Sequence, residues 1–127
     1  MRSRQGQTFG RSPQQRTERT IENETEITTL MGALEDTDCR AILEATSEEA
    51  LAASELCEIC DLSSSTAYRK LDQLTDAGLL EESIRLSQSG SHTSEYSLAV
   101  SDLEIELRGG LELRVTSEQS GLTAAAD

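Results

Sequence analysis

An α+β fold follows from a change of period along the chain. Between Glu26 and Leu80 aliphatic residues recur every three to four positions, as in amphipathic helices. Beyond Gly78 the period shortens toward two, as in half-buried strands. The third observation is Gly109-Gly110, set between the alternating runs Leu103-Glu104-Ile105-Glu106-Leu107 and Leu111-Glu112-Leu113-Arg114-Val115. Glycine tolerates the positive φ angles of tight primed turns, so this reads as a β-hairpin.

The elements follow in order. Ile27, Leu30, Met31 and Leu34 predict a first helix. Asp36 is a candidate N-cap for a second, with Cys39, Ile42 and Leu43 on one face, because its carboxylate accepts from free backbone N–H groups. Thr46–Ala52 is a junction. Ser54 is expected to cap a short helix carrying Leu56, Ile59 and Cys60, which Asp61-Leu62-Ser63 ends. Ser63 then caps a longer helix whose Ala67, Leu71 and Leu74 fall at i, i+4 and i+7, with Gly78 as its stop. Leu80, Ser83–Leu86 and Glu95–Leu98 read as two short strands around a Ser-rich loop, residues 87–94.

Helix, helix, short helix, tight turn, longer helix, strand, loop, strand is the order of a winged helix-turn-helix domain, here with an additional C-terminal β-hairpin. Its expected limits are 26–100, with the hairpin at 101–116, a disordered basic arm at 1–25 and a flexible tail at 117–127. In such a domain the helix at about 64–77 enters the major groove, which is about 12 Å wide and admits one helix. Its free side holds Ser64, Ser65, Tyr68, Arg69 and Asp72. Hydroxyls and exposed helix N-terminal amides favour phosphate, Arg69 suits guanine O6 and N7, and Lys70 suits a phosphate. The wing would be the loop at 87–94, with Arg85 at its base and His92 within it. Ser63, Ser64, Ser65, Thr66, Tyr68, Arg69, Lys70, Arg85 and His92 are therefore the candidate DNA-binding residues.

The runs Ala33-Leu34-Glu35-Asp36-Thr37-Asp38-Cys39-Arg40-Ala41-Ile42-Leu43 and Leu62-Ser63-Ser64-Ser65-Thr66-Ala67-Tyr68-Arg69-Lys70-Leu71 resemble haloarchaeal winged-helix regulators akin to the ArsR class. The resemblance spans about residues 27–115. It implies a dimeric transcriptional regulator that binds double-stranded DNA through Ser64, Ser65, Thr66, Tyr68 and Arg69. The chain departs from many helix-turn-helix proteins in having no basic residue or proline at Ser63 or Ser64.

Composition bounds the alternatives. The chain has 127 residues, 24 acids and 11 bases, for a net charge of −13. Residues 1–20 hold five arginines against Glu18, a net of +4, so residues 21–127 carry −17. Such acidity in a chain with periodic apolar residues suits a cytoplasmic protein of a halophilic archaeon, because at ~1 M salt the Debye length is about 3 Å and neighbouring carboxylates barely repel. It also suits an ordinary acidic protein. No apolar run of membrane-spanning length occurs and no signal-peptide pattern opens the chain. One His, no glycine-rich phosphate loop and no nucleophile elbow leave no catalytic constellation, and no cofactor or small-molecule substrate is expected.

Two other functions stay open. A winged helix also serves as a protein–protein interaction module without DNA binding. Cys57-Glu58-Ile59-Cys60, with Cys39 and His92, offers a thiol- or metal-responsive sensor, although a lone C-x-x-C lacks the second pair of a strong zinc site and no metal is assigned. For a homodimer, helix Ile27–Leu34 and the hairpin are the candidate contacts, since unpaired strand edges recruit partners.

Overall fold

The computed structural model describes residues 15–87 and 89–119. Its elements run β1 (Gln15–Ile21), α1 (Glu24–Glu35), α2 (Thr37–Ala45), β2 (Leu51–Ala52), α3 (Ala53–Cys60), α4 (Ser64–Asp76), β3 (Leu80–Leu86), β4 (His92–Leu98), β5 (Asp102–Glu106) and β6 (Glu112–Gln119). They form two antiparallel three-stranded sheets, ordered β1-β6-β5 and β2-β4-β3.

Caps set the helix starts. Asn23 accepts from the Glu26 amide and opens α1. Asp36 accepts from the Asp38 amide at 2.9 Å and opens α2, as expected. Ser63 accepts from Thr66 N and opens α4, also as expected. Ser54 does not cap α3: the N-cap is Ala52, whose amide donates 2.7 Å to the Glu55 carboxylate. The carboxylate three residues on supplies what the alanine side chain lacks. Between α3 and α4 Asp61 adopts a left-handed conformation at φ 59°. Gly78, at φ +78°, ends the longer helix, and a Cβ there would stand 3.3 Å from Arg19 Nη2.

One apolar core joins both sheets to the helices. Leu30 of α1, Ile42 of α2, Leu56 of α3, and Leu71 and Leu74 of α4 are fully buried, and Leu113 of β6 and Ile21 of β1 complete the same cluster. The predicted hairpin is present as β5–β6, turning through Gly109 and Gly110, both at positive φ.

Three expectations about boundaries are corrected. The arm expected to be disordered through residue 25 is a strand over Gln15–Ile21, and α1 begins at Glu24. Its polar composition hid the strand: β1 pairs along its length with β6 and buries one large aliphatic side chain, Ile21. Residues 16–20 are exposed on both faces, so the ladder to β6 rather than burial holds the strand. Residues 1–14 lie outside the described residues. Residues 117–119, expected in a flexible tail, belong to β6, which continues to Gln119, and residues 120–127 lie outside the described residues. The wing is shorter than residues 87–94, since the β3–β4 ladder extends to Leu86↔His92. His92 is thus a strand residue, and the turn closes with Ser87 N donating to Ser91 O at 3.1 Å.

Candidate nucleic-acid interface

The helix-turn-helix is built as its sequence demands. Ala67, Leu71 and Leu74 are buried along one stripe of α4, while Ser64, Ser65, Tyr68, Arg69 and Asp72 are exposed on the opposite flank. No acid sits in the first turn, so its free amides and the positive end of the helix dipole face solvent unopposed. Ser63 is committed to the cap and also donates through Oγ to Thr66 Oγ1 at 3.0 Å. Thr66 is half-buried.

Two of the predicted DNA-binding residues are already engaged within the fold. Lys70 does not point to open solvent: its ammonium pairs with Asp36, the carboxylate that caps α2. The hydrogen bond from Lys70 holds the Asp36 carboxyl below its ordinary value, and Asp36 in turn raises the Lys70 pKa. Arg85 is held by two carboxylates. Its Nε donates to Glu95 at 2.8 Å, and Nη2 and Nη1 donate to the two oxygens of Glu55 at 3.0 and 3.3 Å. These hydrogen bonds push the Arg85 pKa up and that of Glu55 down. The fork ties the distal half of the β3–β4 hairpin to the first turn of α3 and leaves Arg85 little capacity for a phosphate.

That leaves Arg69. It is exposed and makes no ion pair among the described residues. His92 is exposed at the start of β4. Beside them lies a set of side chains that sequence reasoning missed. Leu80, Glu82, Ile84 and Leu86 alternate onto one face of β3. Leu80 and the neighbouring Tyr96 of β4 are buried, whereas Ile84 and Leu86 carry that face out into solvent. Burial raises the Tyr96 pKa, and the negative groups Glu82 and Asp72 around it raise it further. Leu86 is 69% exposed, and Tyr68 and Ile84 are more than half exposed. The signal was available as three aliphatic residues at i, i+4 and i+6, of which only the first, Leu80, finds a core.

The charge pattern is more telling than any single base. Between Glu18 and Glu118 the two longest stretches without an acid are 83–94 and 62–71. The first is the distal wing and the second is the turn and the N-terminal part of α4. In a chain with 24 acids, these two segments carry none.

The cysteines and His92 do not form one cluster among the described residues. Cys39 is buried in the core, and Cys57 and Cys60 are half-buried on α3. Burial pushes the Cys39 thiol up to about 11 and raises Cys60 as well, which keeps both protonated and poorly nucleophilic. Among the described residues no group of three or more His, Cys, Asp or Glu side chains could hold a metal ion, so Cys39, Cys57, Cys60 and His92 are not brought together. No helix among them is long and apolar enough to cross a membrane.

A family model described as a helix-turn-helix domain matches residues 34–83, which run from the end of α1 through α4 into β3. With the β3–β4 hairpin following α4, the architecture is decided. The fold is a winged helix-turn-helix. No curated protein matches the chain. Among solved structures, the chain is similar to the homodimeric winged helix-turn-helix DNA-binding domain Mb0332 from Mycobacterium bovis, a possible ArsR-family transcriptional regulator. That likeness has 19% identity and a TM-score of 0.48, over 58% of this chain and 64% of that one. It is also similar to HlyU from Vibrio cholerae in two structures. One, in the reduced form, has 24% identity and a TM-score of 0.49 over 58% of this chain and 73% of that one. The other has 25% identity and a TM-score of 0.48 over 61% and 78%. Scores just under one half add nothing to the assignment, which stands on element order and the family match.

The occupied Lys70 makes a prediction that separates two roles. A phosphate ligand contributes to the salt dependence of DNA binding, about one unit of slope per neutralised phosphate. A lysine tying α4 to α2 contributes to stability. Lys70→Met is expected to lower the urea midpoint and to leave the slope of log affinity against log salt unchanged. The pair also sets a pH window. Asp36 has a folded pKa below its ordinary 3.8, so its contribution is present above that value and lost as pH falls through the folded pKa. Lys70 is raised above 10.5, so its contribution is present below that value and lost as pH rises through the folded pKa. A slope reduced by one unit with an unchanged midpoint would return Lys70 to the interface.

Proposed function

We propose that this chain is a transcriptional regulator that binds duplex DNA, with α4 in the major groove and the β3–β4 wing beside it. The observation that carries the reading is the clearing of acids from 62–71 and 83–94 in an otherwise acidic chain. Arg69 stands exposed at the centre of the first stretch. Ser64, Ser65, Tyr68 and Arg69 face the groove. Thr66 and Ser63 shape the helix start, Lys70 and Arg85 hold the scaffold, and His92 lies on the wing flank.

With so few free bases the electrostatic share of affinity is small, and hydrogen bonds, the apolar wing and the pairing of two copies carry the rest. This suits a cytoplasmic protein working in concentrated salt, as in the halophilic archaea that the sequence resembles, where phosphate-driven binding is weak for every protein. No catalytic role or bound cofactor enters the reading.

The exposed Tyr68, Ile84 and Leu86 favour a second reading, in which the same face docks on another protein. Selection from a random-sequence duplex pool at ~2 M KCl, where non-specific ionic binding is suppressed, separates the two. Enrichment of a defined motif supports the regulator. A folded protein that enriches nothing, at high salt or low, supports protein docking instead.

A further inference from the structure

We propose that the cavity between β1, the first turns of α1 and the end of α4 is a binding site for a small aliphatic α-amino acid. Its volume is about 220 Å³, below the ~300–1,000 Å³ of a site for a drug-sized ligand, so it suits a small one. Three chemistries meet in it. Arg19 brings a guanidinium, Glu26 and Asp76 bring carboxylates, and Ile21 and Ala77 bring an apolar wall.

The guanidinium is the member that the fold itself does not account for. Arg19 and Ile21 stand two apart on β1, so they share the face that turns Ile21 into the core. A strand that only covered the core would carry an aliphatic residue at 19, as it does at 21. Gly78, at the turn that ends α4, lets the guanidinium lie close, since a Cβ there would stand 3.3 Å from Arg19 Nη2. Arg19 nevertheless forms no ion pair among the described residues, although Glu26 and Asp76 line the same cavity.

That separation of charge selects the ligand. A simple anion would satisfy Arg19 and meet two carboxylates. A simple cation would satisfy the carboxylates and meet Arg19. A zwitterion offers its carboxylate to the guanidinium and its ammonium to the acids. Its aliphatic part then meets Ile21 and Ala77, and the Thr25 and Thr29 hydroxyls serve its remaining polar atoms. The rival account is purely structural. The last turn of α4 has no basic residue, and Arg19 could complement the negative end of that helix. The rival calls for a loss of stability when Arg19 is removed, and for no ligand. The inference does not rest on the DNA reading, because the cavity lies at the C-terminal end of α4, away from Ser64 and Ser65 in its first turn.

Titration of L-valine into the isotope-labelled full chain, followed through its amide resonances at a salt concentration where the parent is fully folded, tests it. Shifts are expected at Thr25, Glu26, Thr29 and Asp76–Gly78, with a Kd of at most ~10 mM. Isovalerate lacks the ammonium and isobutylamine lacks the carboxylate. Each is expected to bind at least ~10-fold more weakly than valine, the loss of one hydrogen-bonded charge pair. Arg19→Gln is expected to weaken valine by the same factor and to leave the resonances outside the cavity in place. Asp76→Asn is expected to weaken valine without weakening isovalerate, which a general loss of structure would not do. No shift at up to ~50 mM valine overturns the inference. Equal binding of valine and either single-charge analogue overturns it too. So does an Arg19→Gln chain that unfolds at lower urea yet binds valine like the parent, which would assign Arg19 to the helix end. No duplex enters the experiment, so each of these outcomes leaves the DNA reading where it stood.

Discussion

Arg69→Glu is expected to lower affinity for the selected duplex by at least about 100-fold while leaving stability within about 0.5 kcal/mol of the parent. The two halves of that expectation rest on one observation. Arg69 is exposed on α4 and pairs with no carboxylate among the described residues, so its removal breaks nothing in the folded state. In the proposed complex it is the single guanidinium that α4 would offer to the groove. A bidentate contact to guanine discriminates by about 1–3 kcal/mol, which is about 5- to 150-fold. Reversal goes further, because it puts a carboxylate into a stretch of the chain that has none between Asp61 and Asp72. Arg69→Gln, which keeps a hydrogen-bonding side chain without the charge, is expected to fall between. Fluorescence anisotropy on the selected duplex, with urea unfolding in parallel, measures both. Parent-like affinity in Arg69→Glu would remove α4 from the groove.

How much of this was readable from the sequence varies with the kind of force involved. Helix existence and facing were legible, because burial of Ala67, Leu71 and Leu74 leaves a periodic trace, and so were the Asp36 and Ser63 caps, whose chemistry is local. The Gly109-Gly110 turn was legible for the same reason. What the sequence concealed is long-range. Strand β1 is held by a ladder to residues about a hundred positions away, and its own side chains are mostly polar. Nothing within Gln15–Ile21 announces that partner. Composition alone therefore made an arm of it.

The site shows the same division. Ser64, Ser65, Tyr68 and Arg69 were placed on the open flank by helical period, and they are there. Lys70 and Arg85 were assigned by charge, and charge does not reveal a partner. Asp36 lies 34 residues from Lys70, and Glu55 lies 30 from Arg85. A cation in an acid-rich chain meets carboxylates before it meets DNA, which is why the basic residues were the least dependable guides here. The distribution of acids is the better guide, since a polyanion-facing surface excludes them whether or not it also gathers bases.

Leu71→Ala carries the largest expected cost in stability, about 2–5 kcal/mol. Leu71 is fully buried and sits at the middle of the α4 stripe, between Ala67 and Leu74, where helices and sheet meet. Ala67 is already small, so no neighbour on the stripe can swell to fill the void, and the cost belongs at the upper part of that range. A domain of this size has only about 5–15 kcal/mol in total, so a shift of this size consumes a large share. Tyr68→Ala, one position away on the exposed flank, is expected to change stability by less than about 0.5 kcal/mol, because it leaves no cavity. The contrast between adjacent residues is the sharp part of the test. Urea unfolding of the two variants, at a salt concentration where the parent is fully folded, reads it directly. Equal losses in both would mean that α4 is not pinned through this stripe, and the open flank on which the DNA reading depends would lose its physical basis.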